Sequence, residues 1–203
     1  MNCGACYIAY GPNAHNAMQE SKKSLLKHNA IDVAICSDQS THIADMPIRY
    51  DNVQRSRWAK VNLDLWSPYE YTLYLDADTK VNGSIMPGFD ALRDGWDIAI
   101  SASTNQYPRL LWHCSERDKE LTFNMVGSRE ALQYQAGVFF FRKSESVRTF
   151  FENWRNEWLK FKEQDQGALL RALTVSPVSI MLLGNDWNSI NGGLISHLFG
   201  RAR

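Results

Sequence analysis

Residues 5–36 constrain this chain more than any other stretch, because they read as a strand, a helix and a second strand in immediate succession. The apolar run at 5–10 stops at Gly11-Pro12, a pair that ends a strand. Residues 13–28 then set Ala14, Ala17, Met18, Ser21 and Leu25 on one side at helical spacing, and 31–36 return to strand. Parallel neighbours need a long crossover, usually a helix, so the unit predicts a parallel sheet.

The rest of the chain extends that pattern. Within 55–66, Trp58, Val61 and Leu65 share a helical face, Arg55, Arg57 and Lys60 occupy others, and Ser67-Pro68 stops the helix. Residues 71–75 form a continuous apolar and aromatic run, the mark of a strand covered on both faces. A turn at Asn82-Gly83, a short helix over 89–93 and strands over 97–101, 137–141 and 178–183 follow. The helix read over 145–162 carries an apolar stripe of Val147, Phe150, Phe151, Trp154, Trp158 and Phe161. A shorter helix is read over 164–173 and a loop over 192–203. Residues 104–135 lose periodicity and read only as a packed excursion around Tyr107, Trp112 and Phe123. The expected fold class is α/β, one Rossmann-like domain over 1–203 with a mainly parallel central sheet flanked by helices.

Composition bounds the function. Of 203 residues 44% are hydrophobic, enough for one cored domain without staples. Lys+Arg number 22 against 22 Asp+Glu, so no basic excess points to nucleic acid. No apolar run is long enough to cross a bilayer. The opening segment lacks the basic and apolar parts of a signal peptide, and four cysteines are too few for a disulfide scaffold. The expected compartment is a reducing cytoplasm. Cys3 and Cys6 invite a zinc or redox reading, but no second pair accompanies them, and burial at a strand mouth accounts for them. His15, His28 and His42 read as solvated surface. His113-Cys114 reads as core or surface, with a pocket residue as the alternative. No dinucleotide or Walker glycine pattern is present.

Asp76 and Asp78 stand just past the buried run 71–75. In an open α/β sheet the ligand crevice lies outside the carboxyl ends of the strands. Carboxylates there need a cation or other partners, and a hard divalent ion shared with substrate phosphates would satisfy them. The plain alternative is a pair of strand-end aspartates capping the next turn through Thr79.

The run Tyr74-Leu75-Asp76-Ala77-Asp78-Thr79 resembles the metal-binding D-x-D of nucleotide-sugar glycosyltransferases of the GT-A fold, in particular the retaining group that contains glycogenin and bacterial lipooligosaccharide galactosyltransferases. The strand Tyr7-Ile8-Ala9-Tyr10 and the Ser-Leu-Leu-Lys-His helix after it resemble that group's uridine-binding unit. Arg57-Trp58-Ala59-Lys60 stands where the group carries a basic residue for donor phosphates. Gln135-Ala136-Gly137-Val138-Phe139-Phe140 is similar to its N-A-G-V strand, Asp165-Gln166 to its D-Q pair and Trp187-Asn188 to its aromatic-Asn. His197-Leu198-Phe199-Gly200 has the start of its H-x-x-G-x-K-P-W pattern, after which Arg201-Ala202-Arg203 depart from it.

The resemblance implies a GT-A-like transferase that moves a sugar from a nucleotide-diphospho-sugar, a UDP-sugar by preference, to a glycan, lipid or protein acceptor, with retention. It implies Asp76, Asp78 and His197 as ligands of Mn²⁺ or Mg²⁺, the imidazole favouring manganese. Tyr10, Arg57, Lys60, Asp76, Ala77, Gln135, Ala136 and Gly137 become donor-binding residues, and Asp165 and Gln166 catalytic ones. The nucleotide part would span about 1–103 and the sugar and acceptor part about 104–203. Asp165 also stands where the N-cap of the following helix would be.

The same aspartates fit a rival pattern. D-x-D-x-T after an apolar strand also resembles haloacid-dehalogenase phosphatases, in which the first Asp is a nucleophile and the second a general acid; Gly184-Asn185-Asp186 would be the late acidic loop. Against it, that motif usually sits on a domain's first strand, and no second acidic pair stands near Asp186. A non-catalytic sugar-nucleotide-binding relative is the third reading. UDP release would mark the transferase and phosphate release from sugar phosphates the phosphatase.

Overall fold

The computed structural model describes residues 2–39, 49–103 and 109–199. Strand β1 (Cys3–Ala9), helix α1 (Pro12–His28) and strand β2 (Asp32–Ser37) form the expected unit, with β1 and β2 parallel. Helices α2 (Asn52–Val61) and α3 (Leu63–Trp66) precede β3 (Tyr71–Leu75), which pairs parallel to β1. A short β4 (Thr79–Val81), α4 (Met86–Arg93), β5 (Ile98–Ala102), α5 (Glu116–Val126) and β6 (Tyr134–Arg142) come next. Helices α6 (Glu145–Leu159) and α7 (Asp165–Val175), strand β7 (Ile180–Leu183), a 3-10 turn at Asn185–Trp187 and β8 (Ile195–His197) close the order.

The main sheet runs β2-β1-β3-β6-β5-β7. Only β6 is reversed, antiparallel to both β3 and β5, while β7 is parallel to β5. The sheet is therefore mainly parallel, and the start of β6 meets the carboxyl ends of its neighbours. Alternation along the strands feeds two cores. Cys6, Ile8, Tyr74, Phe139 and Phe141 face Trp154, Trp158 and Phe151 of α6 and Leu169 of α7. Tyr7, Leu73, Leu75, Val138 and Phe140 face Met18 and Leu25 of α1 and Phe89 of α4. Cys3 borders the second core and Cys6 lies in the first, on opposite faces of β1, so the two thiols serve no common ion.

Three regions depart from the sequence reading. The helix expected over 55–66 begins at Asn52, where Asp51 and Gln54 form a capping box. It breaks at Asn62, whose side-chain amide donates to the Trp58 carbonyl at 2.7 Å, an alternative to helical pairing that Asn readily adopts. The unread middle contains α5, capped by Ser115 and ended by Gly127 at φ 77°. The tail expected as loop contributes β8, which pairs antiparallel with β4. Tyr107 and His42 lie outside the described residues; His28 is exposed and His15 half-buried on α1.

Helices α5, α6 and α7 are joined by a buried cation. Arg171, 1% exposed, bonds Asp118 of α5 at 2.5 Å and Glu157 of α6 at 2.7 Å, and also donates to Thr122. Removing one partner of such a cluster strands the remaining charges in the interior. Arg171→Ala should therefore lower unfolding free energy by about 3–5 kcal/mol, measured by urea titration.

Candidate active site

The site is built at the carboxyl end of β3, where the chain leaves the sheet at Asp76. The Asp76 N–H still donates to the Gly137 carbonyl at 2.7 Å, so the carboxylate starts from a fixed point on the β3–β6 ladder. Its Oδ1 accepts from the buried Tyr74 hydroxyl at 2.6 Å and from the Lys60 ammonium at 2.9 Å. Lys60 comes from α2, lies over the Tyr74 ring, and also pairs with Asp165 Oδ2 at 3.2 Å. One ammonium thus links β3, α2 and the start of α7.

The charges of this cluster support one another. Burial opposes the charge on Lys60, but attraction by Asp165 and Asp76 overrides it and holds the ammonium above the usual lysine range. Burial likewise opposes ionisation of Asp165, yet Lys60 and Arg57 hold its carboxyl below the usual carboxylate range. A depressed carboxyl contributes stability above its ordinary value, and a raised ammonium contributes below its own. The bridge is therefore fully charged from about pH 4 to 10.

Asp76 Oδ2 faces the other way, 3.7 Å from His197 Nε2, and Asp78 Oδ1 lies 3.1 Å from the same nitrogen. The ligand atoms of Asp76, Asp78 and His197 all lie within 4.8 Å of one another. The β4–β8 pairing brings His197 here: Leu198 N–H donates to the Asp78 carbonyl, and His197 N–H to Ser189. The Asn188 amide nitrogen donates to the Gln135 carbonyl at 3.1 Å, which turns its oxygen towards His197 Nδ1 at 2.8 Å. Nδ1 then carries the proton, and the Nε2 lone pair faces two carboxylates in the neutral ring. Electron-rich atoms converging on one space are reconciled by a positive charge, a proton or a metal cation, so the donor set fits a divalent ion with one imidazole.

The other residues singled out in the sequence fall into place around this cluster. Arg57 donates to Gln164 at 2.7 Å, beside Asp165. Asp165 is the first residue of α7, with Gln164 at the cap position, so it is not the N-cap, and its carboxylate pairs with Lys60 from the helix's first turn. Gln166 donates its amide to the Tyr134 carbonyl at the start of β6. Gln135 holds Asn188 through its backbone; Ala136 is buried in the first core and Ala77 packs against the second. Tyr10 follows β1 with its hydroxyl turned to Cys36 at 3.2 Å, so the phenol's polar end is directed at β2. Asp186 is exposed and accepts from Gly193 N–H at 3.4 Å, outside the Asp-Asp-His group. Tyr74 and the Lys60–Asp165 bridge escaped the sequence reading because a buried hydroxyl and a cross-chain ion pair leave no local pattern.

Comparison of the sequence with family models and with curated proteins finds no match. Solved structures do match in shape. Galactosyltransferase LgtC in complex with donor and acceptor sugar analogs superposes with a TM-score of 0.63 at 14% identity, over 98% of this chain and 88% of that one. Mouse xyloside xylosyltransferase 1 gives 0.61 at 11% identity, over 93% and 87%. A glycosyltransferase involved in the glycosylation of the major capsid of PBCV-1 gives 0.59 at 13% identity, over 98% and 95%. At such identities the likeness is one of fold: the chain has the GT-A-type glycosyltransferase fold.

Gly137 is the tightest point of the site. A Cβ there would lie 2.2 Å from His197 Cε1 and 2.9 Å from Asp76 Oδ2. Gly137→Ala should push the imidazole out of line and cost about 1–3 kcal/mol by overpacking. Urea denaturation gives the cost, and the His197 ring resonances in NMR report the displacement.

Proposed function

We propose that this chain is a metal-dependent glycosyltransferase that moves a sugar from a nucleotide-diphospho-sugar, a UDP-sugar by preference, to an acceptor hydroxyl. The observation that carries the reading is the convergence of Asp76, Asp78 and His197 at the carboxyl end of β3, on a fold shared with donor-using transferases. The nucleotide half lies over residues about 1–103 and the sugar and acceptor half over about 104–203. Among the described residues no helix is long and apolar enough to cross a membrane, and we take the compartment to be the cytoplasm.

Asp76, Asp78 and His197 would hold Mn²⁺ or Mg²⁺, the imidazole favouring manganese. When bound, the cation neutralises the diphosphate and stabilises charge on the leaving phosphate as a Lewis acid. The chain's own residues do the rest. Asn188 keeps His197 in the tautomer that points Nε2 at the carboxylates. Lys60 fixes the rotamers of Asp76 and Asp165 together, so the metal-binding and sugar-facing carboxylates keep one spacing. Asp165 remains ionised and in place to face an anomeric carbon that gains positive charge as the bond to phosphate lengthens. Gln166, held on the Tyr134 carbonyl, sits beside it for the sugar hydroxyls, and Arg57 adds positive charge near the phosphates. A phosphatase would need further acidic ligands, and Asp186 is engaged with Gly193 instead.

Two substitutions test the reading. Asp78→Asn removes one ligand charge from a loop, so Mn²⁺-dependent UDP binding in calorimetry should fall by tenfold or more, about 1.4 kcal/mol, with little change in melting temperature. Chelator should have the same effect on the parent protein, and unchanged affinity in both cases would sink the metal assignment. Asp165→Asn removes an interaction strongest in the transition state, so kcat for UDP release from nucleotide sugars should fall far more than donor affinity. A normal kcat at any stability would return Asp165 to a structural role.

A further inference from the structure

Helix α1 reaches the Asp-Asp-His group through buried hydroxyls whose direction follows from proton count. The turn Asp76-Ala77-Asp78-Thr79 closes on the Asp76 carbonyl, which accepts from the Thr79 N–H at 3.2 Å and from the Thr79 hydroxyl at 2.8 Å. A hydroxyl donates one proton, and Thr79 gives its own to that carbonyl. The Ser21 hydroxyl, 2.8 Å away on α1, must therefore donate to Thr79. Tyr7 of β1, 3.0 Å from Ser21, must in turn donate to Ser21. Burial pushes the Tyr7 phenol well above the usual tyrosine range, so this proton stays in place. Tyr7, Ser21 and Thr79 are 0%, 1% and 5% exposed, so bulk water does not stand in for a missing member.

A second serine, one turn further along α1, makes the hold two-point. The Ser24 hydroxyl donates to the Ser21 carbonyl at 2.6 Å and accepts the Val81 N–H at 2.9 Å. Ser21 and Ser24, at i and i+3 on one helix face, thus hold Thr79 and Val81, the two buried residues of β4. Across the antiparallel pair with β8, those two residues stand opposite His197 and Ile195. The turn that carries Asp76 and Asp78 and the strand that carries His197 are set by the same clasp. An alanine at 21 would pack without the cost of burying a hydroxyl, so packing alone does not explain the serine.

We propose that Tyr7, Ser21 and Thr79 are positioning residues for the cation. None of them is a ligand; their hydrogen bonds keep the ligand atoms of Asp76, Asp78 and His197 within the 4.8 Å over which they converge. This rests on the metal reading of the site, and its test needs no turnover.

Mn²⁺ binding, alone and with UDP, is read from the EPR signal of the free ion, beside the melting temperature of each variant. Ser21→Ala removes the donor to Thr79 and leaves the Tyr7 hydroxyl without an acceptor, so the melting temperature should drop. Mn²⁺ affinity should fall about tenfold, as it does when groups behind metal ligands are removed. In Tyr7→Phe/Ser21→Ala the stranded donor is gone: the melting temperature should recover and the affinity should not. Thr79→Val should lose the same affinity, and Thr79→Ser, which keeps the hydroxyl, should retain it. Val147→Ala truncates the core on the other face of the sheet and is the control, with a lower melting temperature at parental affinity. Affinity that merely follows melting temperature across the set, or stays parental in Thr79→Val, would overturn the clasp. A parent protein that binds no Mn²⁺ would overturn the metal reading instead. The clasp is then decided by the His197 ring resonances in NMR, which should shift in Ser21→Ala and hold still in Val147→Ala; resonances unmoved in Ser21→Ala would overturn it.

Discussion

The ammonium of Lys60 sits between Asp76 and Asp165, largely removed from water. Such a charge is costly to bury unless its partners are close and correctly placed, so the cluster forms only when α2, β3 and α7 have all reached their final positions. Each element brings a group the others need. Tyr74, one turn of the pleat before Asp76, adds a hydroxyl to the same oxygen. The bridge leaves Asp76 Oδ2 directed at His197, so one ion pair sets the geometry of the Asp165 carboxylate and of the candidate metal site together.

Around that bridge the fold supplies rigidity in different ways on the two sides. On the α6 and α7 side, Phe139 meets Trp154, and Phe141 and Phe150 meet Phe151, edge to face, and Arg171 locks α5 against both helices. The Trp154 indole donates to the Asp165 carbonyl at 3.0 Å, which ties the aromatic core to the first turn of α7. On the α1 side, a chain of hydroxyls from Tyr7 through Ser21 to Thr79 fixes the strand that follows the D-x-D. The site lies where these two supports meet, and it uses close approach as well as charge: only a glycine at 137 admits the His197 ring beside Asp76.

The turn at Leu111 holds a strained backbone by burying it and by a bond from its N–H to the Gln133 side chain. The reversed strand β6 matters here as well, because its first residues, not its last, meet the carboxyl ends of β3 and β5. Gln133, Tyr134, Gln135 and Gly137 thereby serve the turn, Gln166, Asn188 and His197 in succession.

The βαβ opening, the buried strand ending in Asp76-Ala77-Asp78 and the aromatic helix α6 were all legible in the sequence, because period and punctuation are local properties that each element carries in its own residues. The helix break at Asn62 and helix α5 were less legible: one hangs on a single side-chain bond, and the other on caps at Ser115 and Gly127 that a fading periodicity hid. The candidate ligands Asp76, Asp78 and His197 could be named from a family resemblance, but their meeting was a tertiary decision. His197 lies 119 residues from Asp78, on a three-residue strand held by another three-residue strand and by a bridge to Ser189. No window of sequence encodes that pairing, because its stability comes from β4 and Ser189 and not from the residues of β8. The same holds for the Lys60–Asp165 bridge: charge is written in the chain, while its partner is chosen by packing.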